Sequence, residues 1–349
     1  MKFKCYLPLL LAVFFLTCKN APEQQAVEET APEPLTEQTT SKPSTEGNEG
    51  VRMIDIQAGD STYRVWTKKV GDHPTVKVLL LHGGPAMTTE YMEAFGDYLP
   101  QEGYEMYYYH QLGSYLSDQP DNDDLWTLER FVEEVEQVRK ALGLTKDNCY
   151  LIGNSWGTML GLQYSLKYQD NIKALVAGNM QGSFPAYAAY NAKLRSQLRP
   201  SLIDSLKVYE DAEDFHNEDY LNLVVEEYYR KHICRMNPFP DGFQRAMDHV
   251  NGHIYELMQG PSEFVPGGRL ANWDIMDELK NINIPVLMIG AEYDTMDPRA
   301  MEEMAGLVQN GRYLHCPNGS HLAMWDDQEH FFPGVLQFIK DVDEGTFGD

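Results

Sequence analysis

From Val76 the chain runs Val-Lys-Val-Leu-Leu-Leu and stops at His82-Gly83-Gly84-Pro85. A short apolar run closed by glycine and proline predicts a buried strand leaving a sheet. Tyr104 to His110 is aromatic and β-prone, which predicts a second strand. Leu128, Phe131, Val132, Val135, Val138 and Leu142 then recur at helical spacing, with Thr127 as N-cap and Gly143 as stop. Cys149 to Ile152 predicts a strand, Thr158 to Tyr168 a helix, and Ile172 to Ala177 another strand. Strand and helix in alternation imply a parallel sheet covered on both faces.

The alternation breaks at about Ser183. Through Asn281 the pattern is helical and amphipathic, rich in Tyr, Met and His, with no strand signal. It resumes with a strand at Ile284–Gly290, a helix from Pro298 to Gln309, a strand at Arg312–His315 and a closing helix from Phe331 to Val342. The expected organisation is therefore an α/β core from residues 51–182 and 282–349, with 183–281 inserted as a helical cap.

The first fifty residues follow other rules. Lys2 and Lys4 precede an apolar run, Tyr6 to Thr17. Twelve helical residues span about 18 Å, short of the roughly 30 Å of a bilayer core, so residues 1–17 are expected to be a signal peptide. The run ends at Cys18 and resembles a bacterial lipoprotein signal, which implies Cys18 as the lipidated mature N-terminus; the alternative is a signal peptide cleaved nearby with no lipid attached. Residues 19–50 contain no aromatic side chain and are dominated by Glu, Gln, Thr, Ser and Pro. Such a segment buries too little apolar surface to offset its ordering entropy, so 18–50 is expected to be a disordered tether. An exported protein, lipid-anchored to a bacterial envelope membrane, is the resulting expectation.

Composition narrows the function. Acidic residues outnumber basic ones 53 to 28, a formal charge of −25. That balance repels phosphate backbones and argues against a nucleic-acid partner. Of five cysteines, three (Cys149, Cys234 and Cys316) fall in the body. An odd count there argues for buried apolar residues rather than a disulfide framework.

Gly153-Asn154-Ser155-Trp156-Gly157 lies between a predicted strand and a predicted helix. A serine there projects its hydroxyl from a tight strand-to-helix turn, and the following helix aims its free N–H groups at the site. A hydroxyl needs a base, and the base an orienting acid, in the chain order Ser, Asp, His. Asp294 and His321 each follow a predicted strand, where open α/β sheets place their sites. Asp297 and His315 are their rivals. His82-Gly83-Gly84-Pro85 predicts one half of an oxyanion hole, the Gly84 N–H pairing with that of Trp156. His249 and His253 are spaced i, i+4, but Val250 replaces the glutamate of a zinc-protease motif. Neither a phosphate-binding loop nor a dinucleotide fingerprint is present, and no cofactor or metal is expected.

These motifs resemble the α/β-hydrolase superfamily and, within it, the proline iminopeptidase family, with particular similarity to its tricorn-interacting aminopeptidase branch. The resemblance runs from about Leu79 to Ile339. It rests on Leu81-His82-Gly83-Gly84-Pro85, Gly153-Asn154-Ser155-Trp156-Gly157, Gly290-Ala291-Glu292-Tyr293-Asp294, Ser320-His321-Leu322-Ala323-Met324-Trp325, and the cap segments Gly260-Pro261-Ser262-Glu263-Phe264 and Trp273-Asp274-Ile275. It implies an α/β-hydrolase fold, with a mostly parallel sheet and inserted helical cap. It also implies acyl-enzyme release of an N-terminal residue, often proline, from short peptides with a free N-terminus. Ser155 would be the nucleophile, His321 the base, Asp294 its orienting acid, and Glu263 a carboxylate for the free α-amino group. The chain departs from the family pattern at Ala86, at His110 (usually Asp) and at Thr295, where a second amine-binding glutamate is usual. An esterase or amidase on the same triad, and a peptide-binding lipoprotein without catalysis, are the competing expectations.

Overall fold

The computed structural model describes residues 49–348, so the predicted signal peptide, Cys18 and nearly all of the tether lie outside the described residues. The sheet has eight strands: β1 (Val51–Ala58), β2 (Ser61–Val70), β3 (Lys77–Leu81), β4 (Glu105–Tyr109), β5 (Cys149–Asn154), β6 (Ala174–Gly178), β7 (Pro285–Ala291) and β8 (Asn310–Cys316). Their order is β1-β2-β4-β3-β5-β6-β7-β8. β1 and β2 form an antiparallel hairpin, and β2 meets β4 antiparallel. From β4 to β8 every pairing is parallel.

The apolar runs of the central strands are buried on both sides because helices cover both faces. Leu79 and Leu81 of β3 join Leu175, Ala177 and Met288 in one core. Helices α1 (Leu128–Ala141), α2 (Trp156–Tyr168) and α8 (Pro298–Leu307) pack there through Phe131, Leu160 and Met301. Val78 and Leu80, the alternate residues of β3, face the other way with Val176, Leu287 and Ile289, under Phe332, Val335 and Phe338 of helix α9 (Gln328–Glu344). The period-two alternation of a strand thus feeds two cores from one continuous apolar run.

Thr127 caps α1, its side chain accepting from the Arg130 N–H, and Gly143 follows the helix with φ of 68°. The hairpin β1–β2 was not among the expected strands. Its signal lies in the buried alternation Ile54, Ile56, Ala58 and in the two-residue turn Gly59-Asp60.

Between β6 and β7 the chain is helical: α3 (Phe184–Ser196), α4 (Pro200–Glu210), α5 (Glu218–Val224), α6 (Asp241–Asp248) and α7 (Gly252–Gln259). Leu194, Leu202, Leu206, Tyr220, Val224, Tyr228 and Phe264 form a separate apolar cluster within it. Among the described residues no helix is long and apolar enough to cross a membrane. Cys149, Cys234 and Cys316 are free thiols, all buried.

Candidate active site

Five strands deliver side chains to one edge of the sheet, each from just past its carboxyl end. β3 leads into His82–Met87, β5 into Ser155, β6 into Asn179, β7 into Asp294 and β8 into His321. The parallel register aligns these exits, with Leu81 beside Gly153, Asn154 beside Gly178 and Ala291 beside Cys316.

Ser155 sits at φ 57° and ψ −126°, a backbone region that side chains other than glycine rarely occupy. The surroundings enforce it. Its N–H donates to the Gly178 carbonyl at 3.0 Å, while α2 begins at the next residue. The flanking glycines are required by close approach: a Cβ on Gly157 would overlap the Leu81 carbonyl, and one on Gly153 the backbone of Gly157. Strain held in this way at a strand-to-helix turn is a mark of a functional site.

His321 Nδ1 is 2.7 Å from Asp294 Oδ1, and both residues are almost fully buried. With Nδ1–H donated to the carboxylate, the neutral ring carries its lone pair on Nε2. Burial works to lower the His321 pKa, but the charge of Asp294 and its hydrogen bond outweigh it, and the net direction is upward from 6.5. The His321 loop is pinned from two sides. His321 and Leu322 donate backbone N–H groups to the carbonyls of His232 and Ile233 in the helical insertion. Ser320 N–H donates to Asp326 Oδ1 at 2.9 Å.

Asp294 is held from its other oxygen. Asn179 Nδ2 donates to Oδ2 at 2.7 Å, and Asn179 Oδ1 accepts from Asn154 Nδ2 at 3.2 Å. Thr295 Oγ1 donates to Asp294 Oδ1 at 3.2 Å. Asn179 adopts φ 57° and is fully enclosed. The sequence reading missed it; its one signal is its position directly after a strand of the parallel sheet.

His82 orders the turn beneath Gly84. The Gln111 N–H donates to His82 Nε2 at 3.1 Å, so the proton is on Nδ1 and donates to the Gly83 carbonyl at 2.8 Å. Burial holds the His82 pKa down to about 4, against the smaller upward pull of that carbonyl. Gln111 Oε1 accepts from Trp156 Nε1 at 2.8 Å, tying the turn to the start of α2. The Gly83 N–H is taken by Tyr91 Oη at 2.6 Å. Among the described residues the Gly84 and Trp156 N–H groups meet no acceptor. Gly84 lines the cavity, whereas the Trp156 ring is buried behind it.

That cavity, of about 260 Å³, is lined by Ser155, His321, Glu263, Tyr91, Tyr229 and Tyr255 among largely apolar neighbours. Glu263, from the loop after α7, is 8% exposed. Tyr187 Oη donates to its Oε2 at 2.5 Å and Tyr255 Oη to its Oε1 at 3.0 Å.

The rivals lie elsewhere. Asp297 caps α8, accepts from the Arg299 N–H and pairs with the Arg299 guanidinium. It is not among the residues that line the cavity. His315 lies within β8, its ring beside Tyr313. His249 and His253 turn to different carboxylates, Glu90 and Asp123. Among the described residues no three His, Cys, Asp or Glu side chains gather as a metal-binding set. His110 packs on Trp66, with ring centroids 4.5 Å apart, and burial drives its pKa well below 6.5. The Thr295 side chain is fully enclosed and donates to Asp294, so the second amine-binding acid usual in the family is replaced here by a neutral hydroxyl.

Residues 77–206 match the family model of the α/β hydrolase fold. The proline iminopeptidase of Flavobacterium johnsoniae is 56% identical over 293 residues, 84% of this chain and 99% of that protein. That of Elizabethkingia meningoseptica is 53% identical over 84% of this chain and all of its own length. The crystal structure of the Mycobacterium smegmatis proline iminopeptidase superimposes with a TM-score of 0.75 at 28% identity, covering 84% of this chain and 99% of that one. With this identity extending over nearly the whole length of those relatives, and with a matching fold, the chain belongs to the proline iminopeptidase family of α/β hydrolases.

Proposed function

We propose that the protein is a serine aminopeptidase that releases an N-terminal residue, proline above all, from short peptides. The observation that carries this reading is one cavity holding a strained serine, an Asp-paired histidine and a buried carboxylate. Ser155 Oγ attacks the first carbonyl of the peptide as its proton passes to His321 Nε2. The Asp294 carboxylate fixes the ring through Nδ1 and stabilises the imidazolium. The oxyanion develops towards the Gly84 and Trp156 N–H groups. Collapse breaks the C–N bond, and His321 returns the proton to the leaving amine. Water, deprotonated by the same nitrogen, then hydrolyses the acyl-enzyme.

Glu263 supplies the exopeptidase selectivity. A cationic α-amino group one residue from the scissile bond meets a buried carboxylate there, and an acylated N-terminus leaves that carboxylate uncompensated. The affinity with the tricorn-interacting branch belongs to this reading, since it rests on the same cap segment. The test compares prolyl-p-nitroanilide with its N-acetyl derivative, using Ser155→Ala as blank. Release from the free amine alone supports the aminopeptidase. Release from both compounds, or from simple esters alone, moves the protein to an esterase or amidase. No turnover by the wild type on any of them favours a peptide-binding role.

Export and anchoring form a separate part of the proposal, supported by the Lys2–Lys4 start, the apolar run and Cys18. Incorporation of labelled palmitate that disappears in Cys18→Ala tests it.

A further inference from the structure

Glu263 is a buried acid whose hydrogen-bond partners, among the described residues, are phenols rather than cations. The two phenols come from separate helices. Tyr187 lies on α3, at the start of the insertion, and is fully enclosed; Tyr255 lies on α7 and lines the cavity. Gln259 Nε2 donates to Tyr187 Oη at 3.2 Å, which directs the single Tyr187 proton to Glu263. Each carboxylate oxygen thus receives one phenol O–H, and the remaining lone pairs are left for a ligand.

One turn along the same face of α3, Asn191 Nδ2 donates to the Thr295 carbonyl at 3.0 Å, directly after Asp294. Tyr228 Oη donates to Asn191 Oδ1, locking that amide. A single helix face therefore grips both the loop bearing Asp294 and the carboxylate of Glu263. A rigid strut between two loops sets the distance between the groups they carry.

We propose that Tyr187 and Tyr255 are positioning residues that aim the Glu263 carboxylate at the substrate's α-ammonium group, with α3 as the strut that sets its distance from the acyl-transfer residues. The inference rests on the aminopeptidase reading and deepens it. Preference for a single residue ahead of the scissile bond then comes from α3, not from Glu263 alone. Tyr187 is sealed from the cavity and acts through Glu263, whereas Tyr255 can also meet the ligand.

The test is a double-mutant cycle on Tyr187→Phe and Glu263→Gln. Its readout is the ratio of kcat/KM for prolyl-p-nitroanilide to kcat/KM for p-nitrophenyl acetate. Tyr187→Phe is expected to lower the ratio about tenfold, chiefly through KM, the scale of one lost hydrogen bond to a charged group. In the Glu263→Gln background the same change is expected to move the ratio less than about twofold, because nothing remains to be aimed. An equal loss in both backgrounds, or a parallel fall on both substrates, would overturn the proposal. Tyr255→Phe provides a second arm should Tyr187→Phe melt below the assay temperature. The wild type on N-acetylprolyl-p-nitroanilide separates the two levels: cleavage equal to that of the free amine overturns the aminopeptidase reading itself. Discrimination by the wild type that survives both tyrosine changes overturns only the positioning role.

Discussion

Asn179 donates from Nδ2 to Asp294 Oδ2 at 2.7 Å, while Asp294 Oδ1 accepts from His321 Nδ1. The two oxygens of one buried carboxylate are thus divided between the His321 ring and a side chain from a different strand exit. Removing Asn179 leaves Oδ2 short of a donor in an enclosed site. Asn179→Ala is expected to cost about 1.5–3 kcal/mol in transition-state stabilisation, a tenfold to hundredfold fall in kcat/KM. Steady-state kinetics on prolyl-p-nitroanilide checks this, and unchanged kcat/KM would refute the orienting role.

The pH profile follows from the same pair. In the proposed mechanism only neutral imidazole takes the Ser155 proton, and the His321 pKa is raised above 6.5 by Asp294 against the pull of burial. Activity is expected to rise with pH through a limb centred above 6.5. Stability runs the other way. A folded-state pKa above the unfolded value gives stabilisation that is complete below about 6.5 and lost as pH climbs through the folded value. Asp294→Asn is expected to move the kinetic limb to lower pH. A wild-type limb below 6.5 would contradict the pairing.

Gly157→Ala tests the turn rather than the chemistry. Its Cβ would overlap the Leu81 carbonyl in the adjacent strand, where backbone cannot yield cheaply. Destabilisation of at least about 3 kcal/mol is expected, in the range of severe steric or strain defects. Denaturant unfolding measures it. An unchanged midpoint would mean that α2 can shift away from β3.

Glu263→Gln keeps the size of the side chain and removes its charge. Free-amine substrates are expected to lose about tenfold to hundredfold in kcat/KM, the scale of a charge-assisted bond. The preference for prolyl-p-nitroanilide over its N-acetyl form should collapse with it. Competition kinetics with the two compounds reads that preference directly, and a preserved ratio would exclude Glu263 as the amine anchor.

Much of this protein is determined locally and can be read along the chain. The apolar runs of β3, β5, β6 and β7, the Thr127 cap and the Gly153–Gly157 turn are set by side-chain period, capping chemistry and close backbone approach. Those forces act over a few residues, so short windows of sequence contain them. The places of Ser155, Asp294 and His321, just past the ends of β5, β7 and β8, are legible for the same reason, since each follows a predicted strand. Tertiary structure alone decided which groups support them. Asn179 meets Asp294 across 115 residues, and Tyr187 meets Glu263 across 76. Asp297 became a helix cap while Thr295 closed over the acid. A hydrogen bond between distant residues depends on strand order and helix docking, and it leaves no periodic mark in the sequence that makes it.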